Sequence, residues 1–281
     1  MLIRYLTDDN RIRAAFSVRT GGVSAMPEKS LNLSFSRESS RENVLENYRI
    51  CAEELGVPFG SLTKVNQVHG KGILKVTAEQ RGFGVSKKYD ETLTDEENGT
   101  LFRFDGMITN VPGITLCTTH ADCAPVILWD PENNAAGAVH SGWKGTCLKI
   151  SAEAVNAMAR EYGSRPGKMR AVIGPAIDMD NFEVRRDVYD AFRDAFGEEM
   201  MRDGSLCSGP FGEADPKWHV NMPGFVLRTL EAAGIPGNNI FLDCTSTYAH
   251  PELFFSHRRD GGRTGAMSTF VVICGEGGDA V

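Results

Sequence analysis

Histidine is scarce in this chain: six occur in 281 residues, at 69, 120, 140, 219, 250 and 257, and none forms a His-X-His pair. That scarcity excludes a polynuclear centre built on many imidazoles. The seven cysteines, at 51, 117, 123, 147, 207, 244 and 274, include no close pair. A disulfide framework is therefore not expected, and reduced thiols in the cytoplasm are the plain reading. The opening MLIRYLTDDNRIRAAF has neither the apolar core nor the cleavage site of a secretion signal. No stretch approaches the roughly 18 apolar residues that would cross a bilayer. Nor is there an excess of basic charge: the formal charge is −7, which gives no electrostatic reason to expect nucleic acid or an anionic membrane as partner. An anionic ligand needs a local basic site instead. The G-x-x-x-x-G-K-[ST] loop of nucleotide triphosphatases is missing. So is the H-x-E with P-C-x-x-C pattern of zinc nucleobase deaminases.

The length is ample for a large buried core. Alternation at Ile12, Ala14, Phe16 and Val18 predicts a strand. A helix is expected over 41–55, with Ser39 and Glu42 as a capping box and Gly56 and Pro58 as its stop. Strand-like runs follow at 62–68, 73–76, 107–109, 114–118, 125–129 and 135–139, the last two joined as a hairpin by Asp130-Pro131-Glu132-Asn133-Asn134. Further helices are expected at 145–161, 186–196 and 222–233, and short strands at 171–173, 240–242 and 269–273. In the first of these helices Leu148, Ala152, Val155, Ala159 and Tyr162 share a face. Residues 78–103, polar and acidic, read as an exposed excursion. Strands and helices mix without the regular alternation of a parallel doubly wound sheet, so an α+β layered domain is expected.

Chemistry-bearing residues gather where apolar strands end. His69 ends one such run, His140 another, and Cys123 lies at the join of two more. Strand ends on a rigid sheet are natural places for a site. Two imidazoles and one thiolate suit zinc, and three protein ligands leave a fourth position open, the pattern of a catalytic site. Taken singly, each reads more readily as a hydrogen-bonded histidine or a core cysteine than as a ligand, and their spacing matches no local metal motif. Cys51, Cys117 and Cys274 read as small hydrophobes. Asp122, next to Cys123, is a candidate proton carrier, although within a strand it would point to the other face.

Three elements could cradle an anion: Arg19-Thr20-Gly21-Gly22, the segment His257 to Arg263, and Gly142-Trp143-Lys144-Gly145 at the start of a helix. Arg19, Gln67, Lys144 and Arg259 are the candidate substrate- or phosphate-binding side chains.

The ordered segments VRTGGVSAMPEKSLNLS, VNQVHG, DGMITN, TTHADCAPVILWDP, AVHSGWKGT, IGPAI, KWHVN and FFSHRRDGGRTGAM together resemble the laccase-domain family, also called multicopper polyphenol-oxidase-like, whose members are regarded as purine nucleoside phosphorylases. The resemblance covers nearly the whole chain. It implies one α/β/β/α layered domain with mixed sheets over 1–281, and a zinc site from the VHG histidine (His69), the ADC cysteine (Cys123) and the HSGW histidine (His140), with copper as the alternative ion. It also implies purine nucleosides and inorganic phosphate as partners. The activities implied are phosphorolysis of adenosine, inosine, guanosine and methylthioadenosine, together with adenosine deamination. The segment 78–103 departs from the pattern in being longer and more acidic. Six histidines without His-X-His pairs cannot build the copper cluster that the older name suggests. Three other readings stay open: a metal-free Cys–His hydrolase acting on amide bonds, such as those of cell-wall peptide precursors, a copper-dependent polyphenol oxidase, and a non-catalytic metal-binding or redox-sensing protein.

Overall fold

The computed structural model describes residues 1–26, 29–37, 40–87 and 103–275. Its strands are β1 (Leu2–Tyr5), β2 (Ile12–Ser17), β3 (Leu62–Lys64), β4 (Ile73–Lys75), β5 (Gly106–Thr109), β6 (Thr115–His120) and β7 (Ala124–Asp130). They continue with β8 (Ala135–Ser141), β9 (Arg170–Ile173), β10 (Glu183–Val184), β11 (Cys207–Phe211), β12 (Lys217–Val220), β13 (Ile240–Leu242) and β14 (Met267–Ile273). The helices are α1 (Arg41–Leu55), α2 (Trp143–Cys147), α3 (Ile150–Tyr162), α4 (Arg186–Phe196), α5 (Glu198–Met201) and α6 (Met222–Ala232). None of the helices described is long and apolar enough to cross a membrane.

Two mixed sheets lie face to face, one ordered β1-β2-β14-β6-β3 and the other β13-β9-β7-β8-β5-β4. Because both are covered on both faces, their strands are near-continuous apolar runs, each dividing its side chains between two cores. In β14, Val271 and Ile273 enter the core between the sheets while Phe270 and Val272 face α1. In β7, Ile127 and Trp129 point inward while Val126 and Leu128 pack under α3 and α6. The layering is therefore α/β/β/α, as the family resemblance implied.

α1 spans the expected residues, but its N-cap is Ser40, whose Oγ accepts from the Asn43 amide at 3.3 Å. Ser39 lies outside the described residues. Gly56 closes the helix at φ 74°, a left-handed conformation that glycine adopts without strain. The expected helix at 145–161 is two helices, broken where Lys149 adopts φ 57°. The break turns Leu148 out to solvent, and the buried face of α3 runs through Ile150, Ala154, Val155 and Met158 instead. The run at 62–68 is a strand only to Lys64. Beyond it the Gln67 amide continues the sheet pairing: Nε2 donates to the Thr119 carbonyl and Oε1 accepts from the Thr119 amide, both at 2.7 Å. The start of the 78–103 excursion is packed, with Val85 in the core beneath α1. Its acidic portion lies outside the described residues.

A third, small sheet ordered β10-β12-β11 was not expected from the sequence. Its strands are short and half-exposed, so they give little periodic signal.

Candidate metal centre

Strand register brings the site together. In the β7–β8 hairpin Ala124 faces Ser141 and Pro125 faces His140, so Cys123, one residue before β7, lies beside the end of β8. On the other side of β8, Gly106 of β5 faces Val139. Asp105, just ahead of β5, thereby meets His140, whose amide donates to the Asp105 carbonyl at 2.7 Å. His69 arrives from the loop after β3, not from a strand end.

Ligand atoms of His69, Cys123 and His140 all lie within 4.8 Å of one another. Cys123 Sγ is 4.0 Å from His69 Nε2, and the two imidazole rings stand edge to face with centroids 4.9 Å apart. Asp105, fully buried, holds both histidines. Its Oδ1 is 2.9 Å from His140 Nδ1, which leaves His140 Nε2 to face the sulfur. The same carboxylate accepts from the amides of Val68 (3.1 Å), His69 (2.9 Å) and Gly70 (2.7 Å). Those three bonds hold His69 at φ 60°, a left-handed conformation unusual for a residue with a Cβ.

The donor set fits a metal ion. A soft sulfur and two ring nitrogens converge, and one histidine is oriented by a buried carboxylate, the usual support of a metal-bound imidazole. Gly142 keeps the space beside them open: a Cβ there would lie 2.7 Å from His69 Cδ2 and 3.0 Å from Cys123 Sγ.

Electrostatics agree with this grouping. Burial alone would raise the Cys123 thiol, but the neighbouring His140 and His69 outweigh it and draw the pKa below the ordinary cysteine value. Burial alone would lower His140, yet the Cys123 thiolate and Asp105 hold it above the ordinary histidine value. Asp105 ends below the usual carboxylate value, because the bonds from His140 and the loop amides overcome its burial. By contrast, burial pushes the Cys51 and Cys117 thiols well up, as befits core residues.

The centre opens into a cleft of about 340 Å³ lined by Arg37, His69, Cys123, Trp143, Phe182 and Arg258, among others. Four of the expected substrate or phosphate residues are committed elsewhere or face away. Arg19 bonds to the Lys29 and Pro251 carbonyls and lies over Phe255. Gln67 is taken up by Thr119. Lys144 is exposed beside Trp143. Arg259 is bound to the Thr247, Tyr248 and Phe254 carbonyls and to Asp260. Asp122 does line the cleft, but it sits at φ 85° in the turn between β6 and β7, not in a strand. Its carboxylate accepts from Thr247 Oγ1 (2.7 Å) and the Arg258 amide (2.6 Å), which makes it a brace for the C-terminal loop.

Asp105, which holds both histidines, and Arg37, which lines the cleft, were not singled out from the sequence. The DGMITN segment marks a strand start, but nothing in it tells that its aspartate is buried. Arg258, which lines the cleft, adjoins the candidate Arg259.

A family model described as multi-copper polyphenol oxidoreductase laccase matches residues 13–274. A purine nucleoside phosphorylase of Deinococcus radiodurans is 35% identical over 254 residues, covering 90% of this chain and 86% of that protein. Purine nucleoside phosphorylase YlmD of Bacillus subtilis is 30% identical over 264 residues, 94% of this chain and 89% of its own length. Among solved structures, the Bacillus licheniformis hypothetical protein YfiH superimposes with a TM-score of 0.83 at 31% identity, covering 94% of this chain and 93% of that one.

Proposed function

The chain belongs to the multi-copper polyphenol oxidoreductase laccase family, and on that premise we propose that it is a zinc-dependent purine nucleoside phosphorylase. The observation that carries this reading is the convergence of His69, Cys123 and His140 on one point at the floor of an open cleft. The names borne by the relatives supply the reaction class. Zinc held by His69, Cys123 and His140 would supply Lewis-acid chemistry there.

The chain's own residues do the rest. Asp105 fixes the His140 ring and the His69 backbone, so that little reorganisation is needed at the centre. Trp143, Phe182, Ile177 and Met222 form an apolar wall against which a purine ring can stack. Adenosine, inosine, guanosine and methylthioadenosine are the proposed nucleosides. Adenosine deamination is proposed as a second activity, in which water and not phosphate attacks.

A second reading has an observation behind it. Asp105, His140 and Cys123 form a carboxylate–imidazole–thiol chain, the arrangement of a cysteine nucleophile, and the thiol pKa is lowered. Chelation separates the two. Stripping zinc should abolish base release from inosine, and adding zinc back should restore it. Full activity in the stripped protein would favour the metal-free nucleophile.

A further inference from the structure

One wall of the cleft carries two arginines: Arg37 and Arg258 line it together with His257, Cys123 and Asp122. The two arginines are not equivalent to Arg259, whose guanidinium is bound on both edges by carbonyls and by Asp260. Arg37 is half-buried, with Nη1 donating to the Gly265 carbonyl at 3.3 Å and Nη2 lying 3.5 Å from His257 Nδ1. Among the described residues no carboxylate forms an ion pair with it. Burial lowers its pKa, and the charges that counter this are those of Cys123 and Asp122 in the cleft itself. Arg258 is pre-positioned: its amide is held by Asp122, Nη1 donates to the Asn181 and Glu183 carbonyls, and the guanidinium lies over Phe182. A partly desolvated guanidinium without a carboxylate is costly unless an anion completes it. Arginine forks match phosphate oxygens in pairs.

We propose that Arg37, with Arg258 and His257, forms the subsite for a phosphate dianion in the cleft of the metal centre. This rests on the phosphorylase reading and assigns its co-substrate a place. In the reaction, a phosphate oxygen bonds to the sugar C1′ while the glycosidic C–N bond breaks. The electron pair leaves with the purine, which takes up the proton released by hydrogen phosphate. Water and redox partners are not consumed. The same chemistry would also recognise the 5′-phosphate of a nucleotide, so the test compares the two sources, and inorganic phosphate is the one assigned.

The test uses zinc-loaded protein as wild type, Arg37→Lys and Arg37→Ala. Calorimetric titrations with inorganic phosphate and with adenosine 5′-monophosphate are paired with KM for phosphate and for inosine. Arg37→Ala should weaken phosphate binding and raise the phosphate KM by about tenfold or more, the loss expected of a charged hydrogen-bond donor. The inosine KM should change far less, and Arg37→Lys should recover part of the loss. An unchanged phosphate KM in a folded Arg37→Ala would overturn the subsite while leaving the phosphorylase reading standing. Weakened nucleotide binding with unaltered phosphate binding would overturn the assignment to inorganic phosphate. Wild-type cleavage that ignores phosphate altogether would remove the phosphorylase reading itself.

Discussion

Asp105 Oδ1 lies 2.9 Å from His140 Nδ1, and the same carboxylate collects three amides of the loop that carries His69. One buried side chain therefore sets the ring of one metal-ligand candidate and the backbone of another. Register explains the first bond: Asp105 precedes β5, which pairs with β8 next to His140. The second is bought by a left-handed backbone at His69.

Asp105→Asn should keep the shape of the site but replace one acceptor oxygen with a donor that opposes His140 or the loop amides. Zinc affinity should fall by roughly 10–100-fold, as for other outer partners of metal-bound histidines. Competition with a chromophoric chelator measures this. Unchanged affinity would mean that the carboxylate only supports the fold.

Cys123→Ala and Cys51→Ala should separate activity from packing. Cys123 lies in a turn at the cleft, so its loss should abolish zinc binding and turnover while the protein stays folded. Cys51 is wholly buried on the inner face of α1, and its truncation should cost about 1–2 kcal/mol of stability with turnover retained. Urea denaturation alongside base release checks both. Equal loss of turnover in two folded variants would remove any special role for Cys123.

His120 supplies a pH signature. It is buried against Phe16, its Nδ1 has no hydrogen-bond partner, and burial pushes its pKa down to about 3. The unfolded chain binds this proton near pH 6.5 and the folded one does not. This contribution to stability is therefore complete above pH 6.5 and falls as pH drops from there toward 3. The slope is at most about 1.4 kcal/mol per pH unit. Urea midpoints measured between pH 7 and pH 4.5 should fall more steeply for wild type than for His120→Asn. Parallel slopes would contradict the buried, neutral imidazole.

The layered fold was legible because most of its strands are apolar runs bounded by turn residues. α1, α4 and β13 fall at the expected residues for the same reason. The hairpin of β7 and β8 was legible from its Asp130–Asn134 turn. What escaped was set by contacts between distant segments. Lys149 breaks a helix that periodicity would continue, and Gln67 replaces a strand with a side-chain pairing. His69, Cys123 and His140 could be grouped from residue types near the ends of apolar runs, although His69 proves to sit in the loop after β3. The proposed phosphate subsite could not. Sequence distinguishes an arginine from other residues, but not the carbonyl-saturated Arg259 from Arg37, which faces the cleft.

The most direct test of the central claim is the identity of the sugar product. Zinc-loaded protein is given inosine with and without inorganic phosphate, and the products are separated by chromatography. The account predicts hypoxanthine with ribose-1-phosphate, formed only when phosphate is present. Equal rates without phosphate, with free ribose as the product, would make the protein a hydrolase and contradict it.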